Sequence, residues 1–240
     1  MDSFHYLSLR RKLFPFSLHR MKLSLLIPTT PDRDQYMIFL LREIRKQINE
    51  LNLWMKVEVV VEMDNFEHSI GWKRNQLLKK ADGEYVAFID SDDRISNIYL
   101  SSIMKGIRQG VDCCSLTGII TENGVNPLVF QHSIKYDLYL TKPDQPKYST
   151  YDKYSSEYVA WINENKMKQV RHEDKTMWIR YERYPNHLNC IKASIAKQFK
   201  FPEKNHGEDT DWATQIHKSG LLKSEYQIDD VIYYYDWRSK

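Results

Sequence analysis

The densest chemistry in the chain lies in Glu84-Tyr-Val-Ala-Phe-Ile-Asp-Ser-Asp-Asp93. Asp90, Ser91, Asp92 and Asp93 crowd negative charge behind a short apolar run. Packed carboxylates repel one another, and a divalent cation relieves the repulsion. Cations of the Mg²⁺ and Mn²⁺ type prefer oxygen ligands and are held by one or two carboxylates together with substrate phosphates. The first chemistry to expect is therefore a metal-bound phosphate ligand. An ordinary structural use competes with it. Asp and Ser are common at helix N-caps and turns, and Arg94 could neutralise the cluster.

The cluster needs a strand to carry it. Tyr85 to Ile89 is short, aromatic and β-branched, and Asp82-Gly83 signals a turn before it. Ligands of open α/β sheets gather at the carboxyl ends of strands, where these acids would stand. Leu23 to Ile27 predicts another strand, stopped by Pro28-Thr29-Thr30-Pro31. From Asp34 to Leu53, apolar residues recur at helical spacing. Val57 to Val61 predicts a strand buried on both faces, ending in Glu62-Met63-Asp64-Asn65. Ser69 caps a predicted helix through Lys80, and Ser96 to Ile107 predicts a third, closed by Gly110. Strands alternating with helices signify a parallel sheet with right-handed crossovers, and hence a Rossmann-like nucleotide-binding half.

The second half is less regular. Asp112 to Thr121 and Val125 to Gln131 suit a hairpin around Glu122-Asn123-Gly124. Residues 141 to 157 are polar and rich in Tyr and Ser, which predicts a loop over the site. Strands are expected near Thr176 to Tyr181, His187 to Ile191 and Tyr226 to Tyr235. Helices are expected at Ala193 to Phe199 and Glu208 to Lys218.

Composition narrows the class. A length of 240 residues suits one α/β domain with or without an extension. A net charge of +3 is too small to argue for nucleic acid without a clustered patch. The three cysteines show no CxxC spacing, so neither a zinc site nor a disulfide framework is indicated, and a reducing, cytoplasmic setting is the simpler inference. No apolar run is long enough to span a bilayer. Residues 1–20 form a basic arm interspersed with Leu and Phe. They lack the apolar core and cleavage site of a secretory signal, and leave open a weak peripheral membrane contact. The preferred reading excludes them from the fold as an upstream extension, with translation beginning at Met21. One domain then covers 21–240, with a nucleotide-binding half at 21–110 and an acceptor-binding half at 111–240.

Four segments occur in a characteristic order: Leu25-Leu-Ile-Pro-Thr-Thr-Pro-Asp-Arg33, Ser69-Ile-Gly-Trp-Lys-Arg-Asn75, the acidic strand Gly83 to Asp93, and Gly207-Glu-Asp-Thr-Asp-Trp212. Over roughly residues 21 to 238 the chain resembles the family-two glycosyltransferases with the GT-A fold. The resemblance implies a single α/β domain with a mostly parallel central sheet, flanking helices and a small antiparallel part in its second half. It implies transfer of a sugar from a nucleotide diphosphate to a hydroxyl acceptor, a glycan by preference. It implies that Thr29 and Arg33 lie beside the nucleotide, and that Asp64 accepts a hydrogen bond from the base, which favours a UDP-sugar. Arg74, with Lys73 nearby, would face the diphosphate or the acidic cluster. Asp90 and Asp92 match the family's DxD motif. Asp92 would coordinate Mn²⁺ or Mg²⁺, Asp90 would serve the ribose and the metal shell, Ser91 would sit in the nucleotide-sugar site, and Asp93 would stand behind them. Glu208 and Asp209 match the ED motif, with Asp209 as general base and Glu208 positioning a substrate. A helix N-terminus keeps such a carboxylate ionised, although acids are common in first helical turns for structural reasons alone. Direct attack with this base inverts the anomeric carbon. The family often supplies a late histidine to the metal, and this chain has none after His217.

Other residues weigh less. His187 precedes an expected strand, and a satisfied structural histidine is the default there, with contact to acceptor or diphosphate as the alternative. Trp161 and Trp178 could form a sugar platform, but core packing is the default. Three rival functions stand beside the transferase. A haloacid-dehalogenase-type phosphatase usually has a hydroxyl residue after its second Asp, where this chain has Asp93. A sugar-nucleotide pyrophosphorylase needs a Gly-rich basic loop after the first strand, which Pro28-Thr29-Thr30-Pro31 does not supply. A non-catalytic glycan- or nucleotide-binding domain would have no use for Asp92 and Asp209.

Overall fold

The computed structural model describes residues 21–122, 125–137, 146–148 and 177–237. The N-terminal arm, most of the loop at 141–157 and Trp161 lie outside the described residues. In chain order the elements are β1 (Leu23–Thr29), α1 (Asp34–Glu50), β2 (Val57–Met63), α2 (Ile70–Lys80), β3 (Tyr85–Phe88), β4 (Arg94–Ile95), α3 (Tyr99–Gln109), β5 (Cys113–Cys114), β6 (Leu116–Glu122), β7 (Val125–His132), β8 (Pro146–Tyr148), β9 (Met177–Arg183), β10 (Ile191–Lys192), α4 (Ala193–Ala196), α5 (Glu208–Ser219), β11 (Glu225–Tyr226) and β12 (Val231–Trp237).

Two sheets form. The first runs β11-β5-β10-β3-β1-β2 and the second β4-β12-β6-β7-β9-β8. In the first, β1 pairs in parallel with β2 and β3. Thr29, Met63 and the residues after Phe88 therefore end along one edge, as the acidic strand requires. The expected hairpin is present, with Leu116 opposite His132 and Glu122 opposite Val125. The second sheet is larger than a small antiparallel part: it holds six strands and combines antiparallel with parallel pairs.

The first sheet is buried on both faces. Leu23, Leu25, Ile27, Tyr85 and Ala87 face one core, which α1 and α3 cover with Leu40, Ile44, Ile103 and Ile107. Leu26, Val86 and Phe88 face the other, with Leu77, Leu78, Phe201 and Trp212 from the side of α2 and α5. Alternation along β1 and β3 sends successive side chains to opposite layers. Each fully buried Leu or Ile contributes roughly 1.5–3 kcal/mol.

Polar side chains fix the ends that carry the site. Buried Gln47 donates from Nε2 to the Ser96 carbonyl at 2.8 Å and accepts the Leu100 N–H at 2.9 Å, tying α1 to the start of α3. Leu100 lies in the first turn of α3, where amides lack helical partners. Ser69 caps α2 as expected by accepting the Trp72 N–H at 3.2 Å. Helix α3 starts at Tyr99 rather than Ser96, because Arg94 and Ile95 pair with β12 first. The strand expected over His187 to Ile191 is confined to Ile191–Lys192. Among the described residues, no helix is long and apolar enough to cross a membrane.

Candidate active site

Three carboxylates, Asp64, Asp90 and Asp92, stand just past the ends of β2 and β3. Asp64, just past β2, forms an ion pair with Lys73 and accepts the His68 backbone N–H at 2.8 Å. Lys73 also donates to the Thr29 carbonyl at 3.0 Å. Desolvation works against ionised Asp64, but Lys73 and His68 outweigh it and hold the carboxyl below its usual range. Asp92 meets Arg33, whose Nη1 lies 2.6 Å from Asp92 Oδ1. Arg33 ends the short helical turn Pro31–Arg33. Its side chain is 42 % exposed, so this ion pair contributes little to stability, about 0–1 kcal/mol.

Arg74 joins Asp90 to Glu208 of the other acidic motif. Its side chain is 4 % exposed. Nη2 lies 3.0 Å from Asp90 Oδ1 and 3.3 Å from Oδ2, and Nε lies 3.4 Å from Glu208 Oε1. The guanidinium carbon sits 5.6 Å from the Phe88 ring centre and 5.7 Å from that of Phe201. Nη1 is buried with no hydrogen-bond partner among the described residues. Burial resists ionisation of Asp90, yet Arg74, with His187 and Arg33 behind it, holds that carboxyl far below the usual range. Asp93 goes the other way. Burial pushes its carboxyl up, the charges of Asp92 and Asp90 push it further, and Tyr233 donates to it at 2.6 Å. Asp93 is 3 % exposed and lines the same cavity as Asp90. The same Tyr233 hydroxyl accepts the Asp90 N–H at 3.3 Å, so β12 braces the acidic turn.

His187 lies between the two acidic motifs. Its Nε2 is 3.7 Å from Asp90 Oδ2 and its Nδ1 is 3.6 Å from Asp209 Oδ2. Burial and the Arg74 charge lower its pKa, which keeps the ring neutral near pH 7. A folded-back turn holds it. Asn189 Oδ1 accepts the Asn186 N–H, and Asn186 Oδ1 accepts the Leu188 N–H, each at 3.0 Å. The His187 carbonyl accepts the Phe88 N–H at 3.1 Å, which fixes the turn to the end of β3. Asp209 stands in the first turn of α5, after Gly207 at φ +73°, a backbone state that glycine adopts without strain. A cavity of about 700 Å³ is lined by Arg74, Asp90, His187, Glu208, Asp209 and Tyr235, among others. Asp90 and Asp209 thus open into one space.

Several of the expected residues are buried or held by protein partners. Lys73 points to Asp64 and the Thr29 carbonyl. Thr29 is 3 % exposed, and its carbonyl accepts from Lys73. Ser91 is fully buried, with no hydrogen-bond partner for Oγ among the described residues. Glu208 is buried against Arg74 and is not open to solvent, and burial raises its pKa despite that cation. His187, for which the sequence favours a structural place, lines the cavity beside Asp90 and Asp209. The signal for it was the flanking pair Asn186 and Asn189, side chains that fold turns rather than strands. Asn186, Arg183 and His206 also line the cavity, and no sequence motif pointed to them. The described residues gather no group of three His, Cys, Asp or Glu side chains able to hold a metal ion.

A sequence model of glycosyl transferase family 2 matches residues 39–171. No curated protein matches the chain. Among solved structures, S. aureus TarS 1–349 aligns at TM-score 0.53 and 18% identity, over 90% of this chain and 60% of that one. The same fragment in complex with UDP-GlcNAc aligns at TM-score 0.53 and 18% identity, over 92% and 60%. In complex with UDP it aligns at TM-score 0.52 and 18% identity, over 90% and 60%. At this identity the likeness is one of fold, and the chain spans about 60% of the length of these structures.

Proposed function

Because the chain belongs to glycosyl transferase family 2, whose model covers more than half of it, we propose that it moves a sugar from a UDP-sugar to a hydroxyl acceptor with inversion at the anomeric carbon. The glycosyltransferase assignment follows from the family; donor, cation, stereochemistry and residue roles are the proposal. One observation carries it. Asp90 and Asp209, from the two acidic motifs, share a cavity with His187 between them at 3.7 and 3.6 Å. Solved structures of this fold hold UDP and UDP-GlcNAc, which supports a uridine donor.

Asp64 accepts from the base, held ionised by Lys73 and His68. Arg33 and Arg74 lie on the diphosphate side, and the unpartnered Nη1 of Arg74 is a ready donor for an anionic oxygen. The donor set suits a Mn²⁺ or Mg²⁺ ion that arrives with the diphosphate. Asp92 and Asp90 offer oxygen ligands of the right type, and a protein shell this sparse leaves the remaining positions to phosphate and water. When bound, the cation would neutralise charge that builds on the departing diphosphate. Asp209 takes the proton of the acceptor hydroxyl as its oxygen bonds to the anomeric carbon. The old carbon–oxygen bond breaks, and its electron pair leaves with the diphosphate on the opposite face. His187 lies between the two carboxylates, one beside each ring nitrogen. Arg74 holds Glu208, so that a single free carboxylate faces the acceptor.

A thermal-shift screen of nucleotide sugars, with and without Mn²⁺, tests the reading, since a ligand at about 100 times its Kd stabilises by roughly 2.7 kcal/mol. UDP-sugars in Mn²⁺ should give the largest shift. Asp92→Ala should remove the Mn²⁺-dependent part of that shift while the fold survives, and unchanged donor affinity in Mn²⁺ counts against the metal assignment. Asp64→Ala should cut the preference for UDP over GDP by about tenfold, the value of one buried hydrogen bond to a charged group. Competition titration reads it, and an unaltered preference removes Asp64 from the base site.

A further inference from the structure

Helix α2 presents Lys73 and Arg74 to the donor side, yet the next residue, Asn75, turns away from the cavity. Its side chain pairs with both backbone groups of Phe201. Asn75 Nδ2 donates to the Phe201 carbonyl, and Asn75 Oδ1 accepts the Phe201 N–H, each at 2.9 Å. A side-chain amide thus imitates a strand pairing. Two further bonds extend the strip: the Ile70 N–H donates to Asn205 Oδ1 at 3.0 Å and the Gly71 N–H to the Lys204 carbonyl at 3.3 Å. These are first-turn donors of α2 that have no partner within the helix. With Ser69 serving Trp72, the N-terminus of α2 is filled by protein and does not await a phosphate. Gly71 permits this close approach, because a Cβ there would overlap the Pro202 carbonyl oxygen.

The clasped segment leads straight to the proposed base. Phe201 stacks on Trp212 of α5 with ring centres 4.6 Å apart and planes 8° from parallel. Trp212 is 1 % exposed. The chain then runs through Asn205 and Gly207 into Glu208 and Asp209. We propose that Asn75 is a positioning residue that sets Asp209 against the helix carrying Arg74, so that the base is placed by the donor-binding framework. This rests on the reading of Asp209 as base. Asn75 itself touches no substrate. A shift of about 1 Å in a reacting group can cost about 10²-fold in rate, so a loosened clasp shows in turnover before it shows in donor binding.

The test uses the full chain, with UDP binding by calorimetry, UDP release from UDP-GlcNAc and amide hydrogen exchange. Asn75→Ala should lower kcat at least about tenfold while the UDP Kd and the donor KM stay within about twofold. Exchange should quicken across 201–211 and stay slow in β1 and in the last turn of α2. Asn75→Asp, which keeps the acceptor for the Phe201 N–H, should recover part of the turnover. Gly71→Ala presses on the same segment one helical turn earlier and should reproduce the signature, and it carries the test if Asn75→Ala does not fold. Wild-type kcat in both variants overturns the inference, as does UDP affinity that falls in step with kcat. If the wild-type protein neither binds UDP nor releases it, the uridine reading fails by itself, and the clasp is judged by exchange alone. Unchanged protection across 201–211 then sinks it.

Discussion

Asp209→Asn leaves the donor bound and halts transfer. Asn is nearly isosteric with Asp, so the first turn of α5 and its glycine entry keep their shape. The amide cannot take the proton of an incoming hydroxyl. General base catalysis contributes about 10²–10⁴ in rate, and turnover should fall by that factor with the UDP Kd near wild type. The loss should appear in kcat and kcat/KM together, the mark of an interaction made in the transition state alone. Steady-state kinetics beside calorimetry reads both quantities. A wild-type rate would mean that another group removes the proton, and His187, 3.6 Å away, would be the first to test.

Arg74→Met should produce the largest loss of stability. One buried guanidinium neutralises Asp90 and Glu208, so its removal leaves two carboxylates without their cation. Breaking a buried pair costs about 3–5 kcal/mol, because the remaining charge stays desolvated. For a chain of this length that is a fall in Tm on the order of 10 °C. Removing both carboxylate charges as well, in the triple variant Arg74→Met, Asp90→Asn, Glu208→Gln, should return much of the stability and none of the activity. The deficit also depends on pH. Asp90 is depressed below its ordinary 3.8, so it contributes stability above that value, and the contribution is lost as pH falls through the lower folded value. The gap between wild type and Arg74→Met should therefore be widest near neutrality and narrow as pH drops below about 4. Thermal denaturation across that range checks the sign, and a gap that widens in acid would refute the assignment of Arg74 as the neutralising group.

Strand ends were legible in the sequence because their physics is local. An apolar run, a turn signal and a cluster of acids suffice to put Asp90 and Asp92 at the end of a buried strand. The amphipathic spacing of α1 and the cap at Ser69 were legible for the same reason. Side-chain direction was not. Lys73 and Arg74 are neighbours, but successive residues of a helix point about 100° apart. One therefore reaches the end of β2 and the other the end of β3. The turn around His187 was hidden by the apolar residues Leu188, Cys190 and Ile191, whose local enrichment imitates a short buried strand, while Asn186 and Asn189 decide the backbone through their own hydrogen bonds. The partnership of Arg74 with Glu208 spans 134 positions, and nothing in either local segment encodes it.

The order of the first sheet has a consequence for how the molecule comes into being. Strand β10, near residue 191, lies between β3 and β5. A ribosome must release most of the polypeptide before that gap can close. Until then Val86 and Cys113 lack their common neighbour Ile191, and an emerging fragment has an open seam where aggregation can begin. Such distant pairing slows self-assembly, so a gene cut near position 110 should yield insoluble product rather than a small nucleotide binder.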